Sequence, residues 1–205
     1  MASVRALACG LIVLSGIPSG QAAAQSEPMA VAPFRSLEVR NGTHAILRYG
    51  PTPRVTFLRG NPDETEVTIV SGDRLVVDKC KRKCTGENEI EIEIVTPELV
   101  SITLAHGGWL QSRGGFPRQA EIGVTVDNGG TIDIRSMSVG SVTASVISGG
   151  VILTKPLTAM AATVVQGGNI TYWGDARVTQ SIEHGGVVEK GAASDVDKPF
   201  LDKRP

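Results

Sequence analysis

The sequence predicts an all-β fold, a single β-solenoid of short strands joined at glycine corners. Three observations predict it. Apart from Gly114-Gly115, the second half of the chain contains five Gly-Gly pairs in series, successive pairs of the series are 22, 20, 18 and 18 residues apart, and a short β-prone run follows each of them. A fixed period in this range is typical of a solenoid, in which every coil returns to the same corner. The pairs are Gly107-Gly108, Gly129-Gly130, Gly149-Gly150, Gly167-Gly168 and Gly185-Gly186.

The glycines suit corners because they accept positive φ and close backbone approach without a Cβ clash. The nearly constant spacing favours parallel coils over hairpins, since hairpins need no constant repeat length.

The chain opens with a segment typical of a cleaved signal peptide, residues 1–24. Arg5 is followed by an apolar run too short to span a bilayer, and Ala22-Ala23-Ala24 matches a small-residue cleavage site. We expect export to the periplasm or the extracellular space. No later apolar run is long enough for a membrane helix.

The remaining chain divides into a Pro- and Ala-rich linker (25–33), the solenoid (34–191) and a polar tail or cap (192–205). Asn41-Gly42, between two apolar runs, is a strong turn signal for a hairpin or a coil corner. Glu and Ile alternate over residues 89–94, as in a strand with one wet face. The predicted strands before the repeats are residues 37–39, 45–47, 55–58, 67–70, 75–77, 89–94 and 102–104.

The charge balance argues against nucleic acid as a partner, because the chain has a net charge of −1 with no basic excess. No cofactor motif, phosphate loop, nucleophile elbow or zinc-protease helix is present. We therefore expect no cofactor, no resident metal and no catalytic residues.

Cys80 and Cys84 are predicted to pair in a disulfide that staples a loop, since cysteines of exported proteins usually pair. A redox pair and half of a metal site are the alternatives, although Lys81, Arg82 and Lys83 would repel a cation.

Three aromatic residues, Trp109, Tyr172 and Trp173, are candidate binding residues. Exposed aromatic rings on a flat face can stack on sugars or anchor a protein. Adjacent strand residues point to opposite faces, so one of Tyr172 and Trp173 should lie outside. The alternative is that these rings are partly buried at a coil end.

Six segments carry a resemblance to a known family, and they are "FRSLEVRNGTHAILRYG", "SGDRLVVD", "EIEIEIVTPELVSITLAHGG" and the corner segments "VDNGGTIDI", "VISGGVILT" and "VVQGGNITYWGD". In their order and spacing they resemble the auto-transporter adhesin-head family called the GIN domain (DUF2807-like), a domain of unknown function in exported bacterial proteins. The resemblance covers about residues 34–190. It implies a right-handed β-helix outside the cytoplasmic membrane, and it supplies no catalytic residues.

The function that these features favour is a non-catalytic envelope or surface interaction protein, adhesin-like or a scaffold, whose partner is an envelope protein or a polysaccharide. The alternatives are a polysaccharide-active β-helix enzyme, to which Asp127 and Asp133 could contribute, and a redox or metal-handling envelope factor that uses Cys80 and Cys84.

Overall fold

The structure is a computed structural model that describes residues 27–79 and 89–198. Over these ranges the chain forms seventeen β-strands and one 3-10 turn, Ala193–Asp195, with no α-helix, so the all-β class is confirmed. The strands are β1 (Met29–Ala30), β2 (Ser36–Arg40), β3 (His44–Tyr49), β4 (Arg54–Arg59), β5 (Glu66–Val70), β6 (Arg74–Asp78), β7 (Glu91–Thr96), β8 (Ser101–Ala105), β9 (Trp109–Arg113), β10 (Gln119–Asp127), β11 (Thr131–Asp133), β12 (Val139–Ser148), β13 (Val151–Thr154), β14 (Pro156–Gln166), β15 (Asn169–Tyr172), β16 (Arg177–Ile182) and β17 (Val187–Lys190).

The strands belong to two mixed sheets that do not close. Sheet A contains nine strands in the order β1-β4-β7-β3-β9-β11-β13-β15-β17, and sheet B contains eight in the order β16-β14-β12-β10-β8-β2-β6-β5. β17 and β16 are therefore neighbouring ends of the two sheets.

From β8 onward the chain passes regularly between the sheets, and each strand pairs in parallel with the next strand of its own sheet. The register joins Val124 to Ala144 and Ala144 to Ala162. One coil of this part of the chain comprises one strand of each sheet.

The core lies between the two sheets and consists of the inward residues of each strand. Because side chains alternate along a strand, residues in register form rows that run through successive coils. Leu104, Val126, Val146 and Val164 form one such row in sheet B, and Leu110, Ile132, Ile152 and Ile170 form one in sheet A; all eight are fully buried.

The Gly-Gly pairs lie where the chain passes from sheet B to sheet A, and all ten glycines have positive φ. Asn41-Gly42 makes the same passage between β2 and β3, so this turn is a corner and not a hairpin.

The first seven strands are arranged differently. β2 lies between β6 and β8, and β3 lies between β7 and β9, so this early segment is inserted between later ones. β4 pairs antiparallel with β1 and β7, and β5 pairs antiparallel with β6. β1 falls within the segment predicted as a linker. The prediction of one solenoid over residues 34–191 therefore extends beyond the regular part.

Some predicted features lie outside the described residues. These are the signal peptide (1–24), the Cys80–Cys84 disulfide and the end of the tail (199–205). Over residues 27–79 and 89–198, the chain contains no helix with the length and apolarity to cross a bilayer.

Candidate interaction surfaces

The outer side of sheet A presents Trp109 at the start of β9, directly after the Gly107-Gly108 corner. Leu110 and Ser112 point inward and are buried, so Trp109, Gln111 and Arg113 point outward. His44 on β3 is the register partner of Trp109, and their rings stack with centroids 4.9 Å apart and planes 20° apart. We call the half-buried pair Trp109 and His44, together with Gln111, the Trp109 surface.

Ion pairs border the Trp109 surface on the side of β3 and β7. The Nδ1 atom of His44 lies 3.5 Å from a carboxylate oxygen of Glu89, which also pairs with Arg59. Arg48 Nε donates to Glu93 at 2.6 Å. On the other side, the row that contains Trp109 continues with uncharged residues, which are Thr131, Val151, Asn169 and Val187. An aromatic platform beside an uncharged strip suits a sugar ring or another flat neutral group.

Trp173 is only 6% exposed, because the C-terminal tail covers it. Its indole N–H donates to the carbonyl of Ala192 at 2.9 Å, and the Arg135 guanidinium lies over its ring, 5.1 Å from the centroid. Tyr172 is half-buried and packs against the core. The structure thus brings neither ring to the Trp109 surface. Trp173 is the one of the two that points away from the core, as expected, but the tail covers it.

Arg135 joins the body to the tail. It makes a two-pronged ion pair with the buried Asp133, with Nε–Oδ1 at 2.9 Å and Nη2–Oδ2 at 2.7 Å. Its Nη1 donates to the carbonyls of Asp195 and Val196, each at 3.0 Å, and its Nη2 donates to that of Lys198 at 2.9 Å. The hydrogen bond with Asp133 raises the pKa of Arg135, so the guanidinium remains charged.

A polar cavity of about 220 Å³ lies between the tail and the body. Its walls include Gln111, Ser112, Ser136 and Lys155 from the body and Val196, Asp197 and Lys198 from the tail. Ser112 Oγ lies 2.7 Å from Ser136 Oγ, and it also donates to the Asp133 carbonyl at 3.2 Å. The wall hydroxyls are therefore already bonded within the chain.

The outer side of sheet B carries a row of hydroxyl side chains that sequence reasoning missed. Registers align the row strand by strand, and its members form no side-chain hydrogen bond within the described residues. The sequence carries a signal for this row, since each sheet B strand from β8 to β16 has Ser or Thr at the same register position. The row is Thr103, Thr125, Ser145, Thr163 and Ser181.

The residues considered for other chemistry do not converge in the described part of the chain. Asp133 is engaged by Arg135, and Asp127 lies at the end of β10 in the other sheet. Across residues 27–79 and 89–198, no group of three or more His, Cys, Asp or Glu side chains is placed to hold a metal ion.

The chain resembles several solved structures at low sequence identity. One is a candidate adhesin of Bacteroides fragilis NCTC 9343, with a TM-score of 0.51 and 15% identity over 85% of this chain and 99% of that one. Another is a candidate adhesin of Parabacteroides merdae ATCC 43184, with a TM-score of 0.40 and 14% identity over 81% of this chain and 95% of that one. A cell-adhesion candidate of Clostridium sporogenes ATCC 15579 has a TM-score of 0.35 and 11% identity over 80% of this chain and 97% of that one.

No protein-family model and no curated protein matches the chain. The likeness to the Bacteroides fragilis protein, at 15% identity, establishes a related fold and nothing about activity. The other two TM-scores are too low to establish a common fold.

Proposed function

We propose that this protein is an exported, non-catalytic interaction protein of the cell envelope or surface, adhesin-like or a scaffold, that binds a polysaccharide or an envelope protein through the Trp109 surface. We also propose that the chain belongs to the GIN-domain family and that its body is a β-solenoid. The shared fold with a candidate adhesin is consistent with that role.

The observation that carries the proposal is the position of Trp109. It lies outward on a paired strand, supported by the stacked ring of His44, and an uncharged strip continues from it along the sheet. Large aromatic side chains held this way bind with little loss of conformational entropy, because the ring is already ordered.

The solenoid part of the proposal rests on the coils from β8 to β17. Parallel pairing in both sheets gives long, flat outer faces without moving parts, which suits an extended partner such as a polymer. The first seven strands then form an irregular end of the same body.

The test is binding of the purified protein to envelope and polysaccharide fractions, measured by co-sedimentation. Trp109→Ala should reduce the bound fraction at least about tenfold, as loss of a central aromatic anchor does. Tyr49→Ala is the matched control, because Tyr49 is an aromatic residue of the same sheet and is more exposed (46%), but it lies at the end of β3, where it contacts Phe116. That variant should bind as the parent protein does.

Four results would contradict the proposal. Equal loss of binding in both variants, or no loss in either, would show that the Trp109 surface is not the binding site. If the parent protein co-sedimented with none of the fractions, the proposed interaction role would itself be wrong. New reducing ends in a polysaccharide fraction would favour the glycan-cleaving alternative.

A further inference from the structure

The two sheets end at β16 and β17, and the described part of the chain supplies no strand beyond either. The tail does not cover this end over its described length, because it runs back along the body to Arg135, three coils earlier. No strand of residues 27–79 and 89–198 therefore pairs with the outer edge of either strand.

The core rows of sheet B stop uncovered at β16. Leu104, Val126, Val146 and Val164 are fully buried, whereas Ile182, next in the same row, is 41% exposed. Val178 continues the buried row of Met160 and is only partly covered. The apolar interior thus reaches solvent at this end.

The open edge of β16 also has free backbone groups at defined positions. The amide of Glu183 donates back to Val164, and the N–H and C=O groups of alternate strand residues point to opposite sides. Val178, Gln180 and Ile182 therefore direct their N–H and C=O groups to the open edge. Such an edge can pair with another strand.

We propose that β16 is a homotypic interface, at which a second copy of this chain pairs antiparallel with β16 and Gln180 lies on the twofold axis. In this register Val178 lies opposite Ile182 of the second copy, and Thr179 opposite Ser181. All the outward-directed amides and carbonyls find partners, and the exposed ends of the core rows cover each other.

The charges at the two ends of β16 fit this register. Arg177 points outward at one end, exposed Glu183 follows at the other, and neither has an ion-pair partner in the described residues. On the proposed axis, Arg177 of each copy lies opposite Glu183 of the other. The edge is therefore complementary to itself, as a twofold interface requires.

The end face is small, so the dimer should depend on concentration. A six-residue strand and two packed sheets give a face of about 20 Å by about 10 Å. This contact is below the roughly 1,200 Å² of a standard stable interface.

The experiment is sedimentation velocity of the purified protein from about 10 μM to about 1 mM, a range that detects weak dimers. The parent protein should pass from monomer to dimer. Arg177→Glu and Glu183→Arg should each raise the dissociation constant at least about tenfold, because like charges then face each other. The double variant Arg177→Glu, Glu183→Arg should restore dimerisation.

Arg118→Glu is the matched control, a charge reversal at an exposed arginine just before β10, and should leave the dimer unchanged. Circular dichroism checks that each variant is folded. A parent protein that stays monomeric, a dimer insensitive to the single reversals, or a double variant that does not recover would each overturn the proposal.

Discussion

The two glycines of one corner carry different constraints. Gly149 has φ +65° and open space where a Cβ would lie. Gly150 has φ +103°, and a Cβ there would lie 3.0 Å from the Gly130 carbonyl oxygen of the preceding coil and would also meet the Val126 side chain. The first position requires only a left-handed backbone, and the second also requires the absence of a side chain.

Single alanine substitutions should separate these constraints. Gly149→Ala should lower the free energy of unfolding by about 1 kcal/mol, the cost of a left-handed alanine. Gly150→Ala should lower it by about 3 kcal/mol, since strain is joined by a clash with backbone that cannot move aside. Urea unfolding measures both. Equal losses would show that close packing between coils does not constrain the second glycine.

At the scale of one element, the tail is held to the body mainly through one side chain. Arg135 bonds three tail carbonyls and the buried Asp133 at once, so its removal frees the tail and also leaves a buried carboxylate without its partner.

Arg135→Ala should therefore lower the free energy of unfolding by about 3–5 kcal/mol, the usual cost of breaking a buried ion pair. Limited proteolysis should then cut near Ala192–Lys198 faster than in the parent protein. Lys155→Ala is the control, because exposed Lys155 lines the same cavity without holding the tail. Unchanged proteolysis in Arg135→Ala would mean that other contacts retain the tail.

The strands and corners could be predicted from local sequence pattern. The order of the strands in the sheets could be predicted only in part, because it depends on pairing between segments that are distant in sequence. Alternation around Ile92 and Ile94 fixed which side of β7 is buried, and the glycine spacing anticipated the parallel registers after β8. The insertion of β2 between β6 and β8 had no such signal, because several apolar strands of similar pattern compete for each place.

The candidate site was predicted in part for a similar reason. Trp109 was singled out from its type and place after a corner, whereas its stacking partner His44 is distant in sequence. Nothing in the sequence around Arg135 indicates that it holds the tail. The burial of Trp173 could not be predicted either, because it depends on the tail being held there.

At the scale of the whole molecule, stability should decline toward the open end. Strands in the middle of a stack have a neighbour on both sides, whereas β16 and β17 have one each among the strands of residues 27–79 and 89–198. In repeat architectures each coil is stabilised mainly by its neighbours, so the last coil should open first.

Hydrogen exchange at low protein concentration tests this decline with matched positions. Val142 and Ala144 are in register, through β14, with Val178 and Gln180. The amides of Val178 and Gln180 should exchange at least about a hundredfold faster, since they face the open edge and open locally. Uniform protection across β12 and β16 would instead indicate one cooperative unit that includes the end.

The position of β2 and β3 also determines when, during synthesis, the two sheets can be completed. These strands leave the ribosome early, yet each lies between two strands that are synthesised later. Their final pairing must wait until β9 has emerged, because long-range pairing needs both partners present. Complete closure of both sheets therefore comes late in synthesis, and the later strands assemble around the beginning of the chain.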